Sequence, residues 1–275
     1  MKTGLLILPV LISLTSGCVS LDSVKNYASY SKLTVESTRP IAQDYFDSCM
    51  RANNYKPYSH ASNCQSERAT SNAISEIAEV LAAYSDSLGA LASDELVSYD
   101  DNLNEVASEL KKIKGASPEK VDAIKTLSAK IASATTNAYR QKQIVKYISE
   151  SNDAVVSVSD TLASVIEQNY SFAISLEIDA WSDSYRKVEI VERDAHPLAW
   201  DAFATSKWQE RENLEKKQSA ATALADSIRK IGSTHAKLKK DAEHITGDEV
   251  YASVRSFISD VKPAINQVKA AYTEK

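Results

Sequence analysis

The sequence predicts an all-α fold, an elongated antiparallel multi-helix bundle with long, coiled-coil-like helices. Three observations carry that expectation. Past residue 17 the chain has only four glycines (Gly89, Gly115, Gly232, Gly247) and five prolines (Pro40, Pro57, Pro118, Pro197, Pro263), so little interrupts a helix. Apolar residues recur in steps of three and four over long stretches, the spacing that lays one helical face against a core. Most of the breakers also fall where the periodic stretches begin and end.

The elements follow in order. From Leu21 through Val24 and Tyr27 the spacing is helical, and Pro40 should kink or restart the helix ahead of Ile41, Tyr45 and Cys49. Ile74, Ile77, Leu81, Tyr84, Leu88 and Leu91 form one seam, and Leu96, Tyr99, Leu103, Val106, Leu110 and Ile113 form another. The register slips by one residue at Ser93-Asp94-Glu95, which predicts a turn or stutter with Ser93 placed to cap a new helix. Gly115-Ala116-Ser117-Pro118 joins a glycine stop, a serine cap and a proline at the first helical position, so a helix starts at Pro118. Its apolar series Val121, Ile124, Leu127 and Ile131 continues to Val145 and Ile148, and the polar stretch Ser149 to Asp153 offers a break. The next series runs Val155, Val158, Leu162, Val165 or Ile166, and on to Ile178 and Trp181. Within it Phe172, Ile174, Leu176 and Ile178 alternate with small or acidic residues, which also suits a strand, but the length of the surrounding pattern favours helix.

His196-Pro197 interrupts next, because the residue before a proline is pushed out of the helical region. A long hairpin with its tip near Asp194 to Pro197 is the simplest arrangement. The returning arm carries Leu214, Ala221, Leu224, Ile228, Ile231, His235, Leu238, Ala242 and Ile245, with Lys217 interrupting the seam. Unbroken from Leu198 to Ile245, it would be a rod of roughly 70 Å. Thr246-Gly247-Asp248 ends that arm, and a last helix carries Val254, Ile258, Val261, Ile265, Val268 and Tyr272, with a kink expected at Pro263.

The first eighteen residues differ in character. Lys2 supplies a positive start, Leu5 to Leu14 an apolar run, and Ser16 and Gly17 a small-residue site directly before Cys18. The run is shorter than the roughly 20 apolar residues that a membrane-crossing helix needs. This stretch resembles the export signal of bacterial lipoproteins, with Thr15 where leucine is usual and Leu14 one position further out. The resemblance implies that residues 1–17 are removed, that Cys18 carries thioether-linked diacylglycerol, and that its new amino group carries an acyl chain such as palmitate. Membrane lipid is then a partner through the anchor. Val19, where an aspartate would retain the protein in the inner membrane, implies the outer membrane, with the protein facing the periplasm or the cell surface. Residues 18–275 are expected to form a single elongated helical-bundle domain.

Removing residues 1–17 leaves 275 − 17 = 258 residues, and loss of Lys2 takes the net charge from −5 to −6. No basic field is present to draw nucleic acid. With Cys18 lipidated, Cys49 and Cys64 are an even pair in an exported protein, which predicts a structural disulfide. Its loop of about 15 residues makes it worth roughly 3 kcal/mol. Neither cysteine has the Cys-x-x-Cys spacing of redox chemistry.

Chemical motifs are missing. His60, His196, His235 and His244 include no pair at metal-ligand spacing, and the chain has no Gly-x-Ser-x-Gly elbow and no phosphate-binding glycine loop. Acidic pairs such as Asp100-Asp101 and Glu210/Glu212 read as solvated surface. No enzyme activity, metal or cofactor beyond the lipid is expected. Two aromatic groups are candidates for a partner or ligand surface. Tyr27, Tyr30, Tyr45, Tyr55 and Tyr58 crowd the disulfide region, and Trp181, Trp200, Phe203 and Trp208 flank the hairpin tip. For both, bundle packing is the competing reading.

The expected function is a non-enzymatic outer-membrane lipoprotein whose bundle serves as a cell-envelope scaffold or protein-interaction module, with an envelope protein as partner. A helical ligand-binding or sensory module is the alternative, and a membrane-active, pore-forming type of helical protein acting through Ser151 to Ile178 is a third. A cavity lined by Tyr or Trp with converging charges would favour the ligand binder, and a filled core with an exposed apolar stripe the scaffold. The anchor is directly testable. Cells fed labelled palmitate should label the wild-type chain and not Cys18→Ser, which should also leave the membrane, because each buried CH₂ contributes about 0.8 kcal/mol to attachment. Equal labelling of the variant would remove the anchor assignment.

Overall fold

The computed structural model describes residues 21–56, 62–93, 118–133, 140–245 and 247–273, and every regular element among them is helical. Cys18, Tyr58, His60, the seam from Leu96 to Ile113 and the stop at Gly115 to Ser117 lie outside the described residues. The helices are α1 (Asp22–Glu36), α2 (Arg39–Asn54), α3 (Gln65–Ser93), α4 (Pro118–Ser133) and α5 (Arg140–Val165), then a π-helical turn (Ile166–Tyr170), α6 (Ser171–Glu192), α7 (Pro197–Lys240), a 3₁₀ turn (Ala242–His244) and α8 (Asp248–Tyr272).

The proline and glycine signals set the boundaries as physical chemistry requires. Pro40 sits in the first turn of α2, where its missing N–H costs nothing, and the helix restarts there after Ser37 and Thr38. Pro118 and Pro197 open α4 and α7 in the same way, with His196 out of the helical region at φ −138°. The turn from Arg193 to His196 joins α6 to α7, which pack on one another. Pro263 lies within α8, which runs on through it to Tyr272.

Two expectations are corrected. Ser149 to Asp153 is no break, since α5 runs through it; Ser151 and Asn152 are buried and hydrogen-bonded in the interior, so they are core residues. Ser93 is the last residue of α3, its Oγ donating to the Gly89 carbonyl at 2.8 Å, and the turn or stutter expected at Ser93-Asp94-Glu95 runs beyond the described residues. The arm beginning at Pro197 stops being α-helical at Lys240, where Asp241 takes φ −97°, ψ 17° and the 3₁₀ turn follows. Lys237, Lys239 and Lys240 crowd that last turn, where cations offset the negative end of the helix dipole. The 44 residues of α7 still extend about 66 Å.

The π-helical turn resolves the uncertainty between Val165 and Ile166. It inserts extra residues into one turn and so re-phases the buried face. Ahead of it the buried line is Val155, Val158, Leu162 and Ile166; beyond it the line is Tyr170, Ile174, Glu177 and Trp181. Phe172 and Leu176 are consequently turned outward, and Phe172–Ile178 is helix, not strand.

α7 is the spine, touching α1, α5, α6 and α8. It comes close to α5 at Gly232, where an added Cβ would stand 3.1 Å from Val156 Cα, so glycine is what allows the two backbones to meet there. The predicted seams face this core: Ile74, Ile77, Leu81, Tyr84 and Leu88 of α3 and Leu224, Ile228, Ile231 and Leu238 of α7 are all buried. Between α3, α5 and α7 lies a closed hydrogen-bond chain. Ser151 Oγ donates to Tyr84 Oη at 2.8 Å, and Tyr84 Oη lies 2.6 Å from His235 Nε2. The Asn152 amide donates to Asp153, which turns its carbonyl oxygen to His235 Nδ1 at 3.1 Å. This order makes Nδ1 the protonated nitrogen and Nε2 the acceptor from Tyr84.

Burial, with a smaller push from Lys239, lowers the His235 pKa to about 3. The unfolded chain binds a proton near pH 6.5 that the fold excludes. Stability from this group is therefore complete above about pH 6.5 and is lost as pH falls toward about 3, by on the order of 4 kcal/mol in all. Urea midpoints measured between pH 7 and pH 4.5 should fall for the wild type and fall less for His235→Gln, which cannot titrate. Parallel profiles would show that His235 is not the group responsible.

Candidate functional site

Asp44, Ser48 and Arg51 recur at the i, i+4, i+7 spacing that puts residues on one face of α2. They meet Glu177, which occupies a core position of α6 and is 0% exposed. Glu177 accepts from Ser48 Oγ at 2.6 Å and from Arg51 Nε and Nη2 at 2.6 and 3.0 Å. The other side of the same guanidinium grips Asp44, with Nη1 and Nη2 at 2.8 and 3.1 Å. Lys217 of α7 and Tyr170 of the π-helical turn each donate to Asp44 at 2.7 Å, and Tyr170 Oη in turn bonds Tyr272 Oη of α8. Two carboxylates and two cations thus join α2, α6, the π-helical turn, α7 and α8, with their charges balanced.

Burial pushes the Asp44 carboxyl upward, but Arg51 and then Lys217 outweigh it and hold it below the usual carboxylate range. Burial likewise opposes the Arg51 charge, and the two carboxylates overcome it. Tyr170 and Tyr272 are driven upward by burial and stay protonated as donors. Every charged group in the cluster is engaged by a neighbour of opposite sign, so the arrangement fastens helices to one another.

The disulfide lies alongside. Cys49, next to Ser48, bonds Cys64 at 2.04 Å with Cα atoms 5.9 Å apart, tying α2 to the start of α3. Cys64 takes φ 53°, left-handed for a non-glycine residue, a conformation costing about 1–2 kcal/mol. Asn53 steadies the loop by donating to Ser62 O at 2.8 Å and accepting from Ser62 N at 3.1 Å. The Glu67 carboxylate lies within 4.8 Å of both sulfurs, but sulfurs joined to each other supply no thiolate for a metal.

The predicted aromatic groups separate and then partly meet. Tyr27 is core, donating to Ile231 O at 2.9 Å and packing on Phe257. Tyr30 is half-buried under Lys262, and Tyr45 is buried edge-on to Tyr170. Tyr55 donates to Glu210 of α7. Trp181, Trp200, Phe203 and Trp208 do form one cluster, centred on Tyr185 with ring centroids 5.0–6.4 Å away. Trp181 and Trp200 are buried there and Trp208 is half-exposed, with Arg211 stacked 5.4 Å from the rings of both Trp181 and Trp208. Lys207 connects the two groups, lying about 6 Å from the rings of both Tyr55 and Phe203 and donating to Glu210 at 2.8 Å. Glu210 is thus a partly buried, bonded group, whereas Glu212 is exposed. His196 pairs with Glu192 at 2.7 Å on the surface, and His244 is exposed.

Sequence reasoning missed the ion cluster, although Lys217 gave a signal as a charge inside an apolar seam. Two surface grooves lie among the described residues. One of about 370 Å³ between α7 and α8 is lined by Glu212, Glu215, Lys216, Ser219 and Gln267; one of about 330 Å³ between α1 and α3 has Ala78, Ala82 and Ala83 as floor and Lys32, Glu79 and Asp86 at its rim. Neither is lined by Tyr or Trp. Comparison with protein families, with curated proteins and with solved structures finds no match to the chain.

Removing one member of a buried charge cluster leaves another uncompensated, at about 3–5 kcal/mol. Glu177→Leu should therefore cost about 3 kcal/mol in urea denaturation, and adding Arg51→Met should cost much less than the sum of the single changes. Additivity within about 0.5 kcal/mol would show the two groups to be uncoupled.

Proposed function

We propose that the chain is a non-enzymatic lipoprotein of the outer membrane, anchored at Cys18, whose elongated antiparallel helical bundle acts as a scaffold or protein-interaction module of the cell envelope. The observation that carries this reading is a set of exposed apolar side chains over a core whose buried charges neutralise one another. The converging charges at Asp44, Arg51, Glu177 and Lys217 neutralise one another, and the grooves are rimmed by charged and polar residues with no aromatic wall. Phe172, Leu176, Ile190, Val191 and Leu198 are exposed along α6 and around the turn into α7. Such side chains are what a partner protein covers.

The geometry also supports a spacing role. α1 begins four residues beyond Cys18, and its Tyr27 docks at Ile231 of α7. The start of α7 at Pro197 is 231 − 197 = 34 residues away from Ile231, about 50 Å along the helix. The start of α1 and the turn thus belong to opposite ends of the spine. Among the described residues no helix is long and apolar enough to cross a membrane, so in this reading attachment falls to the lipid.

The test is crosslinking of the tagged, full-length chain in intact envelopes. An envelope protein should be recovered from the wild type above a tag-only control, and serine at all five exposed positions, Phe172, Leu176, Ile190, Val191 and Leu198, should reduce its yield at least about tenfold, as expected for loss of roughly 1.4 kcal/mol of contact energy. Wild-type chain that captures nothing above the control would overturn the scaffold reading.

A further inference from the structure

The three most exposed large apolar side chains among the described residues, Ile190 at 77%, Val191 at 65% and Leu198 at 88%, flank the turn between α6 and α7 within one helical turn of it. They are held on a stiff base. Directly behind them Tyr185 of α6 packs against Trp200, Phe203 and Trp208 of α7, with Trp181 stacked 5.0 Å from Tyr185, so the ends of both helices are fixed by rings. Glu189 pairs with Arg193 at 3.2 Å and Glu192 with His196 at 2.7 Å, which ties the turn to the helix before it. A rigid apolar knob loses little conformational freedom on docking.

The charges around the knob select its occupant. From Glu189 to Asp201 there are four carboxylates (Glu189, Glu192, Asp194, Asp201) against Arg193, with Arg186 and Lys187 a turn further back, so the end itself carries 1 − 4 = −3. An anionic bilayer surface repels that charge, and insertion would dehydrate Glu192, Arg193 and Asp194 at the apex. A second copy would bring the same negative end against it. Three aliphatic side chains offer on the order of 300 Å², below the roughly 800 Å² per partner of a standard flat interface, so the contact has to be a concentrated one.

We propose that the turn between α6 and α7 is an acidic-rimmed docking knob, with Ile190, Val191 and Leu198 entering an apolar socket on a partner protein ringed by lysine and arginine. This rests on the scaffold reading and assigns its contact surface. The test places a photoreactive benzophenone residue at Leu198, at Ile190, at Phe172, or at the exposed control Tyr251, in the full-length chain within native envelopes. Positions 198 and 190 should give the same protein adduct and position 251 should not. The crosslinked peptide of the partner should hold apolar residues flanked by lysine or arginine. Yield should drop about fivefold from about 0.05 M to about 0.5 M salt, where screening shortens to a few ångströms. Leu198→Ser should abolish the adduct from position 190 with an unchanged melting temperature, since the side chain is solvent-exposed. Adducts to lipid, to a second copy, or to a peptide without basic residues would overturn the proposal, as would a yield indifferent to salt. Adducts from Phe172 alone would overturn the knob and leave the scaffold standing; no adduct from any of the four positions would remove both.

Discussion

Arg51 reaches from α2 with its guanidinium forked between Asp44 and Glu177, and the arrangement of the surrounding helices follows from what that fork demands. Apolar contact is non-directional, so a helix packed only on leucine and isoleucine can slide by a turn at small cost. A planar fork with donors in fixed directions cannot. Glu177 is buried and has to be met by Arg51 and Ser48, Asp44 has to be met by Arg51, Lys217 and Tyr170, and these requirements hold only if α2, α6 and α7 are at one level along their axes. The π-helical turn belongs to the same constraint, since it is what presents Tyr170 and Glu177 on the inward face together.

A second directional device stands further along α7, where His235 takes part in the chain from Ser151 through Tyr84 and on to Asn152. Between the two devices the spine is lined with small residues, Ala220, Ala221, Ala225 and Gly232, which let neighbouring helices approach closely where dispersion forces are strongest. Polar groups therefore set the register at two levels and close packing supplies the cohesion between them.

Much of this was legible in the sequence because its signals are local. The three-and-four spacing at Ile74 to Leu88 and Leu224 to Leu238, and the prolines at 40, 118 and 197, act on their own helix and are read from it. What was not legible depends on partners far away in the chain. Arg51 and Glu177 are 126 residues apart and Lys217 and Asp44 are 173 apart, so no window of sequence contains both halves of the contact. Ser149 to Asp153 misled for the same reason: a run of polar residues resembles a loop until Tyr84 and His235 are known to stand opposite. The π-helical turn left only an ambiguity of one residue, and the two aromatic groups were visible as compositions whose meeting through Lys207 was not.

The bonds between the first two helices and the spine have a mechanical consequence. Tyr27 bonds α7 at Ile231, Asp44 at Lys217 and Tyr55 at Glu210, so the fasteners are spread along the axis in matching order. A pull exerted between the start of α1 and the turn beyond α6 would load all three at once, in shear, as rivets along a lap joint share a load. Peeling would instead break them one after another. Tension along the axis thus meets the three fasteners together, the loading in which they are hardest to break.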